Sequence, residues 1–198
     1  MTSPLPHIDE SRPRVSVAAL WGVTGVVLML VSGVARVLPW AVEPWLDGSL
    51  QWWHAGLYAG SIAFNAWAEG YRGFQRGVAP RVAARAEYLS RNPTLVNTIL
   101  APLFVGGFYG ATRRRLISRY ILLLGIVALV VLIRSAPQPW RGIVDAGVVV
   151  GLGWGAVAVV MAWLRVLNGH PPEAHHDVPG APMHPALRRS DAAARTRS

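Results

Sequence analysis

An all-α integral membrane bundle is the fold class this sequence predicts, and three observations predict it. Apolar residues make up 53% of the 198-residue chain and charged residues 15%, with a mean hydropathy of +0.34. The apolar residues gather in segments of roughly 20, the length that carries a helix across about 30 Å of hydrocarbon. Within one such segment, 53–76, the polar residues His54, Tyr58, Ser61, Asn65, Glu69, Arg72 and Arg76 recur every three or four positions. That spacing returns to one face of a 3.6-residue helix, while Leu57, Ile62, Phe64 and Trp67 cover the rest. A polar stripe on a lipid-soluble helix must face something other than lipid, so we expect it to face the inside of the bundle.

Composition narrows the function classes. The chain has no cysteine, which excludes a disulfide framework, a thiolate metal site and a cysteine nucleophile. Its formal charge is +9, and all 19 basic residues are Arg. These arginines flank the apolar segments, a pattern of membrane topology and of contact with anionic headgroups rather than with nucleic acid. No nucleic-acid-binding motif is present. A chain without Lys suits a GC-rich genome, and we expect a bacterial inner (cytoplasmic) membrane.

Taken in order, residues 1–14 are polar and expected to be a disordered tail. Val15 to Leu38 is the first apolar run. It exceeds the ~7–15 residues of a secretory h-region and lacks a convincing small-residue cleavage site, so it reads as an uncleaved span. Arg36 at its far end can snorkel to the headgroups. Residues 39–53 carry Trp40, Trp45, Trp52 and Trp53 and read as an interfacial loop, with an aromatic ligand clamp as the alternative. The striped helix follows.

Residues 78–91 read as an amphipathic helix lying on the membrane surface, with Val82, Ala86 and Leu89 on one face and Arg81, Arg85 and Glu87 elsewhere. Pro80 suits its first turn, and Asn92-Pro93 reads as the cap and first residue of the next helix. Segment 94–112 is long enough to span, but Asn97, Pro102 and Gly106-Gly107 can break it. Arg113, Arg114, Arg115 and Arg119 follow, then a span from Leu116 to Ile133, a turn ending at Trp140, and a last span from Ile143 to Leu167. The membrane domain is thus 15–167, and 168–198, rich in His, Pro and Arg, is expected to be disordered.

Charge bias decides the span count. If 94–112 crosses, the arginine clusters at 72–91 and 113–119 fall on opposite sides; if it dips and returns, both clusters and both termini share one side. The second arrangement obeys the positive-inside bias, so we expect four spans plus a re-entrant segment, with the N-terminus cytoplasmic. A fifth span is the alternative that length alone supports.

Chemistry has few footholds. His54 and Glu69 lie about 22 Å apart along a helix, nearer the two interfaces than the centre. The plain expectation is that Ser61 and Asn65 hydrogen-bond to neighbouring helices and that Glu69 pairs with Arg72. The rival is a polar pocket or path for a proton, ion or amphiphile. Gly147, Gly151 and Gly155 repeat every four residues and form a ridge for close helix packing; Gly56 and Gly60 form a second, and we expect these two helices to pack together. Arg141 and Asp145 are spaced for an interfacial pair, with His54–Asp145 as a weak metal or proton-relay alternative. One His in the membrane segments argues against a bis-histidine haem, and no cofactor is indicated. His170, His175, His176 and His184 with Glu173 and Asp177 make only an adventitious metal set. No phosphate loop, zinc-protease or nucleophile-elbow motif occurs, and GLGWG at 151–155 is a packing segment.

The leading expectation is a non-enzymatic bundle that binds a lipid-like ligand or a membrane partner, the latter including a second copy. A proton- or ion-coupled transporter using the stripe is the alternative, and a lipid-modifying enzyme with Glu69 or His54 as acid–base comes third. Because the chain lacks cysteine, a Thr112→Cys variant tests the topology: it is expected to react with an impermeant maleimide from the cytoplasmic side. Labelling from the opposite side would remove the four-span arrangement.

Overall fold

The computed structural model describes residues 16–110 and 113–179. The expected N-terminal tail at 1–14, Thr112, and the end of the carboxyl tail with His184 lie outside them. Among the described residues every regular element is helical.

Helix α1 runs from Val17 to Leu46 over 30 residues, and Ser16 caps it by accepting the Ala19 N–H at 3.1 Å. It is longer than expected. Pro39 and Pro44 lie inside it, so most of the loop expected at 39–53 is helical. A helical proline leaves the carbonyl four residues earlier without its donor. For Pro44 that carbonyl is Trp40, and the Gln138 side-chain amide supplies the donor at 3.3 Å. Only a short turn remains before the next helix. There the Ser49 N–H donates to Asp47 Oδ1 at 2.9 Å, which holds the Asp47 carboxyl below the usual carboxylate range.

The chain then turns back in one continuous helical pass made of three parts. These are α2 (Trp52–Asn65), a π-helix (Ala66–Val78, 13 residues) and α3 (Ala79–Arg91). The junction residues all keep right-handed helical dihedrals, and the Ala79 N–H donates five residues back, to Phe74. A π-helix is rare beyond a single turn. Here the stretch contains Gly70, Gly73 and Gly77, residues with little α-helical preference to lose. Its wider turn, about 4.4 residues for i→i+5 bonding, brings Glu69, Gly70 and Phe74 to the inner face in place of residues spaced by 3.6.

Helix α3 corrects the expectation of an amphipathic helix lying on a surface. Val82 through Glu87, Leu89 and Ser90 are all buried, and α3 packs against α1 and α7. Ala79, Ala83, Ala84 and Ala86 allow this, because their short side chains let neighbouring helices close on several faces at once.

Segment 94–112 forms no single span. It folds as α4 (Leu95–Ile99) and α5 (Ala101–Gly106), and Gly107 ends α5 in the left-handed region at φ 74°. The first helix starts later than expected: Thr94, not Asn92, caps it by accepting the Asn97 N–H at 3.2 Å. Pro102 and Val105 of α5 seat on Gly25 and Gly22 of α1. Helix α6 (Arg113–Arg134) touches mainly α7, and Leu124 and Leu132 are 67% and 69% exposed.

Helix α7 (Trp140–Leu167) is the centre of the molecule, packed against α1, α2, the π-helix and α3. It runs antiparallel to α1 and parallel to the second pass. Among the described residues, α1 and α7 are the two helices that by length and composition could cross a membrane, where four were expected. The second pass is not one of them, because its α-helical part, α2, is 14 residues long, and the described apolar part of α6 is only Leu124–Arg134. Buried apolar residues form two clusters. The larger, with Ala19, Val26, Ala86, Phe104 and Val159, sits where α1, α3, α5 and α7 meet; the smaller, with Ala41, Tyr58, Ile143 and Ala146, sits near the α1–α2 turn.

Arg85 ties the upper end together. It is 1% exposed, and its guanidinium donates to the carbonyls of Phe104 (2.6 Å), Tyr109 (2.8 Å), Gly110 (3.1 Å) and His176 (3.1 Å). It also stacks 4.4 Å from the Phe104 ring centroid. One side chain therefore joins α3, the end of α5, the following loop and the carboxyl tail. The tail does not hang free over 168–179: His176 is buried, its ring lies 4.7 Å from that of Tyr88, and Asp177 lies 4.0 Å from Arg81. Replacing Arg85 by Leu strips four carbonyls of a charged donor and is expected to cost on the order of 3 kcal/mol or more. Arg81→Leu, at a partly exposed pair, is expected to cost under about 1 kcal/mol. Thermal unfolding of both variants in one detergent, followed by circular dichroism, checks the order.

Candidate functional site

The polar stripe lies along α7, and glycine makes room for it. A Cβ built on Gly147 would stand 2.6 Å from Ser61 Oγ and closer still to the Asn65 amide. One on Gly151 would stand 2.6 Å from Glu69 Oε2, and one on Gly155 would stand 2.6 Å from the Phe74 ring. On the other partner, Gly70 receives the Trp154 ring. The two helices thus meet with side chains from the second pass lying on bare α7 backbone.

The glycines of the second helix play no part in this. A Cβ at Gly56 or Gly60 would meet nothing within 4 Å. These two face outward, because the polar face, not a small-residue ridge, is the one turned toward α7.

The stripe itself divides into a lower end, a seam and a surface. His54 and Tyr58 are buried. His54 Nδ1 accepts the Gln51 N–H at 2.9 Å as part of the α2 cap, and its ring packs against Trp53 and Trp140. Tyr58 Oη donates to the Ala41 carbonyl at 3.2 Å, and its ring meets Trp45 edge-on. Ser61, Asn65 and Glu69 form the half-buried seam, where the Asn65 amide donates to its own helix at the Ser61 carbonyl, 2.9 Å. Arg72 and Arg76 leave the stripe. The π-helix turns them outward, where they lie over the rings of Trp67 and Tyr71 at 5.0 and 4.9 Å. The expected Glu69–Arg72 pair is therefore not formed.

At the lower end Arg141 Nε lies 3.4 Å from Asp145 Oδ2, with its guanidinium 3.6 Å from the Trp40 ring centroid. Gln138 adds a staple that sequence reasoning missed. Its amide donates to Glu43 Oε2 at 2.6 Å and accepts the Gly142 N–H at 3.0 Å. With His54 committed to the cap and Asp145 to Arg141, the metal or relay pairing weighed for these two has no free ligand atoms left at His54 Nδ1 or at the paired carboxylate edge. Among the described residues, no group of three or more His, Asp or Glu is arranged to hold a metal ion.

A second feature lies beside the seam. A groove of about 620 Å³ runs between α7 and the π-helix–α3 junction, lined by Pro80, Val150, Val157, Met161 and Ala162, with Pro172 of the tail across one end. Trp154 forms one wall, and its indole N–H donates to Gln75 at 2.9 Å. At the rim the exposed Arg165 and Glu173 form an ion pair. No sequence signal announced the groove, because its walls come from three separate segments.

The chain matches no known family model, no curated protein and no solved structure. The glycine seam makes a direct prediction. Gly147→Leu and Gly151→Leu force the seam apart and are expected to destabilise by about 1–3 kcal/mol each. Gly60→Leu and Gly153→Leu enter open space and are expected to be near neutral. Detergent-resistance and thermal-midpoint measurements on the four variants separate the two pairs.

Proposed function

We propose that this protein is a non-enzymatic membrane bundle that holds a lipid-like amphiphile in the groove between α7 and the second pass. The observation that carries the reading is the groove itself: apolar walls, an opening along one side, and a charged pair at one end. Its volume falls in the range of about 300–1,000 Å³ found for small-molecule sites. An acyl chain fits the apolar floor, and a polar head reaches Arg165 and Glu173.

The membrane setting is part of the proposal. Among the described residues two helices are long and apolar enough to span, and large apolar side chains such as Leu28, Met29, Val130 and Leu132 face outward. In water such a surface is costly; in lipid it is not. The α1–α2 turn gathers Trp40, Trp45, Trp52, Trp53 and Trp140 with Glu43 and Asp47, which suits an interface on the acidic side. The other end carries Arg81, Arg91, Arg113 and Arg165 and suits anionic headgroups on the cytoplasmic side. We infer four passes with α4 and α5 as a partial helix, both termini cytoplasmic, in a bacterial inner membrane.

Native mass spectrometry of the full chain, purified in mild detergent, tests the binding. A lipid-like adduct is expected on the wild type and on Gly60→Trp, and at least tenfold less on Gly153→Trp, which fills the groove. Equal retention by all three would move the ligand elsewhere, and a wild type free of adducts would remove the reading.

A further inference from the structure

We propose that Glu69 is a proton-binding site, held as a neutral carboxylic acid in the seam between the second pass and α7. The inference goes beyond amphiphile binding but rests on the membrane setting proposed above.

Placement carries the argument. The Glu69 carboxylate lies against the Gly151 backbone, which stands about 16 Å along α7 from Trp140 at 1.5 Å per residue. With Trp140 in the interfacial belt, that is near the middle of a hydrocarbon layer about 30 Å thick. Counting along the second pass alone puts Glu69 nearer an interface, but the contact with Gly151 fixes its carboxylate at that level of α7. The next turn toward the belt offers Ser61 and Asn65, whose amide already donates to its own helix.

No cation is at hand. On its own helix, Arg72 and Arg76 lie outward over aromatic rings. On α7, Arg141 is paired with Asp145 and Arg165 with Glu173, each toward an end of the helix. On α1, Arg36 is exposed; on α3, Arg81 faces Asp177, Arg91 pairs with Glu87, and the Arg85 guanidinium is held by carbonyls. Among the described residues, Glu69 makes no ion pair and no side-chain hydrogen bond. An ionised carboxylate without partners in such a medium is expensive, and taking up one proton from the aqueous phase removes the charge. The Trp154 indole, packed on Gly70, separates the acid from the groove.

Carbodiimide labelling reads this state directly. The O–H of a protonated carboxyl adds across a C=N bond of dicyclohexylcarbodiimide, and the adduct rearranges to a stable N-acylurea with no leaving group. Full-length protein in vesicles of phosphatidylethanolamine and phosphatidylglycerol is floated on a density gradient, labelled at pH 7 and mapped by peptide mass spectrometry. Glu69 is expected to label at least tenfold faster than Glu43 or Glu173, and the adduct is expected to vanish in Glu69→Gln. Labelling of Glu69 no faster than of Glu43 in floated protein overturns the proposal. So does protection by sodium at constant pH, which would make the site one for a metal cation. Protein that does not float removes the membrane setting, and this inference with it, independently of any labelling result.

Discussion

Close approach of α7 to the second pass is the constraint on which the rest of the molecule depends. Glycine at 147, 151 and 155 removes the side chains that would otherwise hold the helices apart. What fills the space is not another small-residue ridge but the longer side chains of Ser61, Asn65, Glu69 and Phe74. The gain is dispersion contact and the shielding of polar atoms, not hydrophobic transfer alone. The apolar clusters lie above and below this polar layer, so the seam sets the spacing at which both can pack.

The two ends of the bundle solve a common problem. Helix irregularities leave carbonyls without intrahelical donors, and a long side chain from another element supplies them. Below, Pro44 frees the Trp40 carbonyl and Gln138 answers it. Above, α5 stops at Gly107, whose N–H donates to the Phe104 carbonyl; Arg85 donates to that carbonyl as well and to those of Tyr109 and Gly110 in the following loop. Each staple also joins segments far apart in the chain, α1 to the start of α7 in one case and α3 to the carboxyl tail in the other. A broken helix becomes a fixed one when a neighbour satisfies the break.

The proposed groove and the proposed acid lie on different faces of one helix. Val150, Val157 and Met161 look to the groove, while Gly147 and Gly151 look to the seam. Trp154 and Gly70 stand between them. A change in the seam that moved Trp154 would reshape the groove wall, so the two sites share a structural element even though they use different chemistry.

Helical character, the polar face of the second pass, the α7 glycine ridge, the Arg141–Asp145 spacing and the breaks at 94–112 could be read from the chain, because each is a local property of spacing or propensity. The departures arise where a local rule yields to a distant partner. Residues 39–53 read as an interfacial loop, yet α1 continues to Leu46, and a donor almost a hundred residues away serves the carbonyl that Pro44 leaves open. Arg85 looked like a headgroup ligand, yet four carbonyls gathered from three segments bury it. A period of 3.6 put Arg72 and Arg76 on the stripe, and a π-helix turned them off it, because tertiary packing chose the wider turn. Sequence by itself determined which residues are apolar, which are small and which must be shielded. Only the tertiary structure decided what shields them, because hydrogen-bond donors, carbonyls and glycine backbones find their partners through space and leave no mark in the spacing of either strand of sequence.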